Sequence, residues 1–280
     1  MTDALLDVDH VRKDFVQGGL LSRQHIRALD DVSFRLEAGR PEIFAIIGES
    51  GSGKSTLASM ILNVQKPDSG RILFLSTDLK QIRGKSARMS FMAQVQPIFQ
   101  NPFEAFNPLK QLDHYLFVTA RRFVPGLDEA GAVRCADAAL IKVGLSLAEV
   151  RGRYPHELSG GQLQRIAVAR ALIPSPRIIV ADEPVSMVDA SLRMSIVNLF
   201  KTLRDELGIS IIYITHDLAT AYYISDRIII MQRGKVVESG DARTVLADPQ
   251  HPYSRQLKSA VLLPDTTARV QPSSGEPTHA

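Results

Sequence analysis

One octapeptide constrains this chain more than any other feature. Gly48-Glu49-Ser50-Gly51-Ser52-Gly53-Lys54-Ser55 fits the pattern G-x-x-x-x-G-K-[ST] and lies between two apolar segments, Ile43 to Ile47 and Leu57 to Leu62. The first, a continuous apolar run, reads as a parallel strand covered on both faces, and the second as a helix. That strand–loop–helix setting separates a phosphate cradle from a flexible Gly/Ser turn. Glycines let the backbone turn its N–H groups inward around phosphates, and the helix start adds partial positive charge. Lys54 is then placed to reach β- and γ-phosphates, and the Ser55 hydroxyl to ligate Mg²⁺. The candidate nucleotide contacts are Gly48, Glu49, Ser50, Gly51, Ser52, Gly53, Lys54, Ser55 and Thr56.

A second segment, Ile178-Ile179-Val180-Ala181-Asp182-Glu183-Pro184, is an apolar strand ending in two acids. Ligands of open α/β sheets bind at the carboxyl edge of the strands, where these carboxylates would stand. Asp182 is the candidate for the Mg²⁺ shell, and Glu183 for orienting or deprotonating an attacking water. Taken alone, the segment also fits a strand meeting a solvated turn; beside the phosphate loop the catalytic alternative gains. A third segment, Leu158-Ser159-Gly160-Gly161-Gln162, again sets glycines before a helix. The residues leave two alternatives open there, a second phosphate-binding helix start or an ordinary Ser N-cap.

Around these segments the pattern is mixed. Residues 5 to 40 predict antiparallel sheet, with Val32, Phe34 and Leu36 alternating with polar neighbours and Gly18-Gly19 marking a loop. From about Gln100 to Pro155 the chain reads as mostly helical, punctuated by Pro97, Pro102, Pro108 and Pro125, with a helix from about Asp128 that ends at Gly144. After Gly161 helices and strands alternate: a helix from Gln162 to Leu172, a helix from Ala190 to Leu207 with Leu192, Ile196, Leu199, Phe200 and Leu203 on one face, a strand Ile211 to Ile214, and a hairpin turning near Arg233-Gly234. This alternation predicts a mainly parallel sheet with helices on both faces. From Pro264 the composition predicts disorder.

Bulk properties narrow the class. The 280 residues are 45% hydrophobic and 22% charged, ordinary globular values, and the net charge of +3 gives no electrostatic case for a nucleic-acid partner. The single cysteine, Cys135, cannot form an internal disulfide. No basic region followed by an apolar run opens the chain, and no apolar stretch approaches the ~18 residues of a membrane helix, so a cytosolic chain is expected.

Together the segments resemble the ATPases of ABC transporters, over roughly residues 5 to 260. Gly48 to Ser55 resembles that family's Walker A loop, Ile178 to Glu183 its Walker B strand, and Leu158 to Gln162 its signature motif. Gln100 is similar to the Q-loop glutamine, which in the family touches Mg²⁺ and the lobe that meets the membrane subunits. Asp189 stands where the family has its D-loop, and His216 matches the switch histidine that contacts the γ-phosphate. Phe15 is the candidate aromatic for stacking on adenine. From the residues alone Phe15 also fits plain core, Gln100 a solvated loop, His216 a satisfied strand-end histidine and Asp189 a helix N-cap.

The resemblance implies a P-loop NTPase core with a mainly parallel sheet, an N-terminal antiparallel β subdomain and a helical subdomain at about 100–160. It implies one ATPase domain over residues 1–263, and catalysis by Glu183 and His216 with ATP and Mg²⁺, the metal held by Ser55, Gln100 and Asp182. It also implies a head-to-tail pair of ATPase subunits, identical or sibling, in which Ser159, Gly160, Gly161 and Gln162 of one clasp the nucleotide of the other and Asp189 lies at the interface. Phe99 to Pro108 and the stretch His251-Pro252-Tyr253-Ser254-Arg255-Gln256-Leu257 resemble the Q-loop and C-terminal extension (about 240–263) of oligopeptide and dipeptide importers. Permease subunits, a peripheral position on the cytoplasmic face of the membrane, an extracytoplasmic solute-binding protein, and peptides or oligosaccharides as cargo follow from that likeness. The alternatives are an ABC ATPase acting on DNA or ribosomes, against which the absence of a heptad run between the motif sets counts, and a cassette that binds ATP without hydrolysing it. Departures are Met187-Val188 in the D-loop, Asn101 after Gln100 and the insertion-like Arg40-Pro41; one cysteine also cannot supply the iron–sulfur cluster some relatives carry.

Overall fold

The computed structural model describes residues 4–17 and 24–262, so the loop expected at Gly18-Gly19 and the tail from Pro264 lie outside the described residues. Strands β1 (Ala4–Gln17) and β2 (Gln24–Glu37) pair antiparallel, and the alternation at Val32, Phe34 and Leu36 becomes one buried face. β3 (Ile43–Ile47) is buried along its whole length. The glycine loop and α1 (Lys54–Ile61) follow it directly. β4 (Ser69–Phe74) and β5 (Thr77–Asp78) complete a four-stranded antiparallel sheet in the order β2-β1-β4-β5.

α2 (Lys85–Gln94) then leads into β6 (Val95–Ile98), which carries Pro97. The sequence pattern marks no element between residues 63 and 95, and Pro97 reads there as loop punctuation. β6 is the edge strand of the main sheet, and a proline there removes one N–H where strands tolerate it.

The chain is next helical: α3 (Leu112–Phe123), α4 (Glu129–Ile141), α5 (Leu147–Val150) and α6 (Gly160–Leu172). The Asp128 carboxylate caps α4 by accepting from Gly131 N at 2.6 Å, and Gly144 follows it with φ 73°. α6 starts two residues before the predicted Gln162, because Ser159 rather than a later residue caps it. β7 (Ile178–Asp182), α7 (Ala190–Leu207), β8 (Ser210–Thr215), α8 (Leu218–Ile224), the hairpin β9 (Arg227–Gln232) and β10 (Lys235–Asp241), then α9 (Ala242–Ala247) and α10 (Pro252–Leu262) finish the described chain. Within α7 the predicted face holds for Ile196, Leu199, Phe200 and Leu203; Leu192 is exposed instead and leans over Gly161.

The main sheet has the order β10-β9-β3-β8-β7-β6, parallel except for β10. Alternate residues of the same strands feed different cores. Ile179, Ala181, Ile211 and Tyr213 join the helical side, whereas Ile178, Val180, Ile212 and Ile214 join the side of α1 and the antiparallel sheet. Both faces are therefore dry, which is why these strands read as unbroken apolar runs. Each fully buried isoleucine contributes about 1.5–3 kcal/mol. Rigid strands ending together fix the loops that follow β3, β6, β7 and β8, and the candidate site is made of those loops.

Candidate functional site

Beyond the carboxyl ends of these strands lies a cleft of about 850 Å³. Gly48, Glu49, Ser50, Gly51, Gly53, Lys54, Ser55 and Thr56 line it from the glycine loop; Gln100, Asp182, Glu183 and His216 line it from the loops after β6, β7 and β8. Ser52 is buried beneath the loop, with its hydroxyl 3.5 Å from Lys54 Nζ. The glycines are there for close approach: a Cβ at Gly48 would stand 2.3 Å from the Met231 carbonyl oxygen, and one at Gly53 2.4 Å from that of Ala28.

Lys54 is buried at the first turn of α1, and its ammonium donates to the carbonyl oxygens of Gly48 (2.6 Å) and Glu49 (2.8 Å). Burial holds its pKa below the usual lysine value, against the opposing pull of Glu183, Asp182 and Glu49. Burial pushes the Asp182 carboxyl up, partly offset by a hydrogen bond from Ser55. The site therefore concentrates charges that are poorly solvated by themselves and gain from a polyanion and a cation arriving together.

Glu183 sits at the centre. Its carboxylate accepts from Gln100 Nε2 at 3.0 Å through one oxygen and lies 2.8 Å from His216 Nδ1 through the other. Its φ is 45°, a left-handed conformation costly for glutamate, held by its N–H donating to Ile214 O at 2.9 Å. Three segments far apart in sequence thus converge on one carboxylate. Gln100 lies exposed in the loop after β6 and His216 largely exposed just past the end of β8, and both side chains bond Glu183 at the cleft wall. Of the three residues expected at Mg²⁺, Asp182 and Ser55 offer a carboxylate and a hydroxyl that could hold it, whereas the Gln100 amide nitrogen donates to Glu183. The first two suit a small, hard cation which takes one or two carboxylates and completes its shell with phosphate oxygens and water.

Other predicted residues stand elsewhere. Ser159, Gly160, Gly161, Gln162 and Asp189 do not line the cleft. Ser159 and Gln162 form a reciprocal capping box at the start of α6, with Ser159 Oγ accepting from Gln162 N at 3.2 Å and Gln162 Oε1 from Ser159 N at 3.0 Å. Gly160 and Gly161 lie against Met187, Val188 and Leu192, so the signature and the Asp189 loop are neighbours. Asp189 occupies the N-cap position of α7, yet its side chain makes no cap hydrogen bond. Phe15 is 37% exposed, which excludes plain core, and it pairs across the sheet with Ile26, a residue lining the cleft. Paired residues share a face, so the ring stands beside that wall.

Ile26, Arg27, Ala28, Arg233 and Leu257 also line the cleft and were not anticipated. Arg233 lies at the Arg233-Gly234 turn and Leu257 in the His251–Leu257 stretch; Ile26, Arg27 and Ala28 carry no local signal.

The ABC transporter family pattern matches residues 29–186. Oligopeptide transport ATP-binding protein OppF of Haemophilus influenzae is 40% identical over 268 residues, spanning 94% of this chain and 80% of that protein. Dipeptide transport ATP-binding protein DppF of the same organism is 37% identical over 263 residues, spanning 92% and 76%. Among solved structures, the dimeric post-hydrolysis state of the ATP-binding cassette MJ0796 bound to ADP and Pi superposes with a TM-score of 0.73 at 27% identity, covering 85% of this chain and 99% of that one.

Proposed function

The chain belongs to the ABC transporter family, whose ATPase subunits hydrolyse ATP to drive transport, and we propose that it powers the import of peptides through permease subunits in the membrane. The observation that carries this proposal is the cleft itself: a phosphate loop, an acid pair and a histidine on one wall system, in a chain whose relatives are oligopeptide and dipeptide transport ATP-binding proteins.

In this reading the loop N–H groups and Lys54 hold the β- and γ-phosphates, and Phe15 stacks on the base. Asp182 and Ser55, with Gln100 beside them, would hold Mg²⁺, which when bound neutralises phosphate charge. Glu183 orients the attacking water and takes its proton. Gln100 and His216 fix the direction of that carboxylate, and His216, still exposed on one side, is free to meet the γ-phosphate.

Ser159, Gly160 and Gly161 act on the nucleotide of a second ATPase subunit, which accounts for a glycine-preceded helix start lying outside this chain's own cleft. MJ0796 is a dimer in its ADP-bound structure. ATP bound between two subunits favours the closed pair, and hydrolysis removes that preference. No helix of the described residues is long and apolar enough to cross a membrane. The likeness to peptide-transport ATP-binding proteins supports a peripheral subunit on the cytoplasmic face. Phe99 and Phe103, flanking Gln100 in the chain, and Leu109 farther along the same segment are exposed and offer an apolar contact for permease subunits. An extracytoplasmic binding protein would deliver the peptide.

A role on DNA or ribosomes has little to stand on. Between Gln100 and Ser159 the longest described helix has 13 residues, far short of a long coiled coil, and the relatives are peptide-transport proteins. A non-hydrolysing cassette is disfavoured by the intact Glu183–His216 pair. Co-purification from membranes with mass spectrometry tests the proposal. Permease subunits are the expected partners; ribosomal or DNA-repair proteins in their place would overturn it.

A further inference from the structure

Tyr253, on α10, is 4% exposed and belongs to the buried cluster that joins Leu218 and Ala221 of α8 to Ala45 and Ile47 of β3 and Ile228 and Ile230 of β9. Its hydroxyl emerges from that core against the phosphate loop, where the Glu49 N–H donates to Tyr253 Oη at 2.9 Å. That N–H and the Gly48 carbonyl belong to one peptide unit, and the carbonyl accepts from Lys54 Nζ at 2.6 Å. A single peptide plane is therefore clamped at its two ends, by Tyr253 and by Lys54. Rotating it would break both bonds and strand a part-buried N–H.

α10 is itself fixed. The Glu238 carboxylate, on β10, accepts from Gln250 N (2.8 Å) and His251 N (3.1 Å) just before the helix. Leu257, one turn beyond Tyr253 and on the same face, lines the cleft. The C-terminal helix thus reaches the nucleotide site by a hydrogen bond and by an apolar wall.

We propose that Tyr253 is a positioning residue for ATP binding, fixing the Gly48–Glu49 peptide that aims Lys54, so that docking of the C-terminal helix and nucleotide affinity are coupled. The inference rests on the reading of the cleft as the ATP site. Coupling of this kind is reciprocal: what the helix does for ATP, ATP does for the helix.

The test uses the full chain, trinitrophenyl-ATP binding, steady-state ATPase and hydrogen exchange. Tyr253→Phe keeps the ring and removes the hydroxyl. It should weaken nucleotide affinity and raise KM about fivefold, the size of one net hydrogen bond, with kcat within about twofold and the melting temperature within about 2 °C. Nucleotide should slow amide exchange in α10 of the wild type and slow it less in the variant. Tyr253→Leu, which also loses packing, separates the alternatives: a purely structural Tyr253 leaves Phe like wild type and lowers only the melting temperature of Leu. Wild-type affinity in Tyr253→Phe would overturn the proposal. A Lys54→Ala control that binds nucleotide like wild type would overturn the site reading, and the proposal with it.

Discussion

Glu183→Gln is the substitution on which the hydrolytic role turns. The amide occupies the volume of the carboxylate. Its oxygen can still accept from Gln100 Nε2, and its NH₂ can donate to His216 Nδ1, so both contacts, at 3.0 and 2.8 Å, have neutral equivalents. Charge-assisted hydrogen bonds are roughly twice as strong as neutral ones, so these weaken without the side chain leaving its place. The backbone anchor to Ile214 O is untouched. What disappears is the base, and a positioned general base contributes about 10²–10⁴ in rate, or roughly 3–5 kcal/mol of barrier. Lys54, Ser55 and Asp182 remain, so ATP should bind with nearly wild-type affinity while hydrolysis slows by about that factor. Single-turnover phosphate release measures the rate, and light scattering after size exclusion measures closure of the ATPase pair. The slow variant should accumulate as an ATP-dependent dimer, and adding Ser159→Arg, which plants a bulky side chain at the signature, should abolish it. A Gln variant hydrolysing ATP within about threefold of wild type would refute the assignment of Glu183. Arrested hydrolysis without ATP-dependent pairing, even in the assembled complex, would refute the two-sided nucleotide site.

Phe15→Ala should weaken nucleotide binding by about 1–3 kcal/mol in a competitive binding assay. Unchanged affinity would assign the adenine contact elsewhere. Asp182→Asn should abolish hydrolysis yet stabilise the nucleotide-free chain at neutral pH, where the wild-type carboxylate is ionised in a site that burial makes unfavourable for its charge. Burial raises the carboxyl's pKa, so the folded state holds its proton more tightly than the unfolded state, and stability falls as pH rises through the window above the ordinary value of 3.8. The gain over wild type should vanish once pH drops below that window, where Asp182 is already neutral; thermal melts across pH check it, and a constant gain at acid pH would contradict the account.

The parts of the site carried by contiguous residues were legible in the sequence. The glycine loop and the Asp182-Glu183 strand end each announce themselves by local pattern, since an apolar run followed by glycines or acids encodes both the strand and its exposed carboxyl edge. Convergence is not legible by pattern: nothing near Gln100 or His216 says that both reach Glu183, and the family resemblance assigns them to the metal and the γ-phosphate rather than to that carboxylate. β6 was missed because Pro97 argues against a strand unless the strand is known to lie at an edge. α2 is short and half polar, with Phe91 its one buried residue, so it has little periodicity to read. Leu192 was assigned to the buried face of α7 on spacing alone, and it lies instead at the turn of that helix which meets the signature glycines. Tyr253 falls in the His251–Leu257 motif, but its bond to Glu49 joins the C-terminal helix to the loop after β3 and follows only from the fold that brings them together.

The central claim is that ATP hydrolysis in this cleft drives peptide import. Its most direct measurement is uptake of labelled peptide into proteoliposomes holding the chain with its co-purified membrane partners, ATP on the side of the ATPase and peptide-loaded binding protein on the other. ATP-dependent peptide accumulation, lost with Glu183→Gln and absent for a labelled oligosaccharide, is the predicted result. ATP hydrolysis without peptide accumulation, or accumulation of oligosaccharide instead, would contradict it.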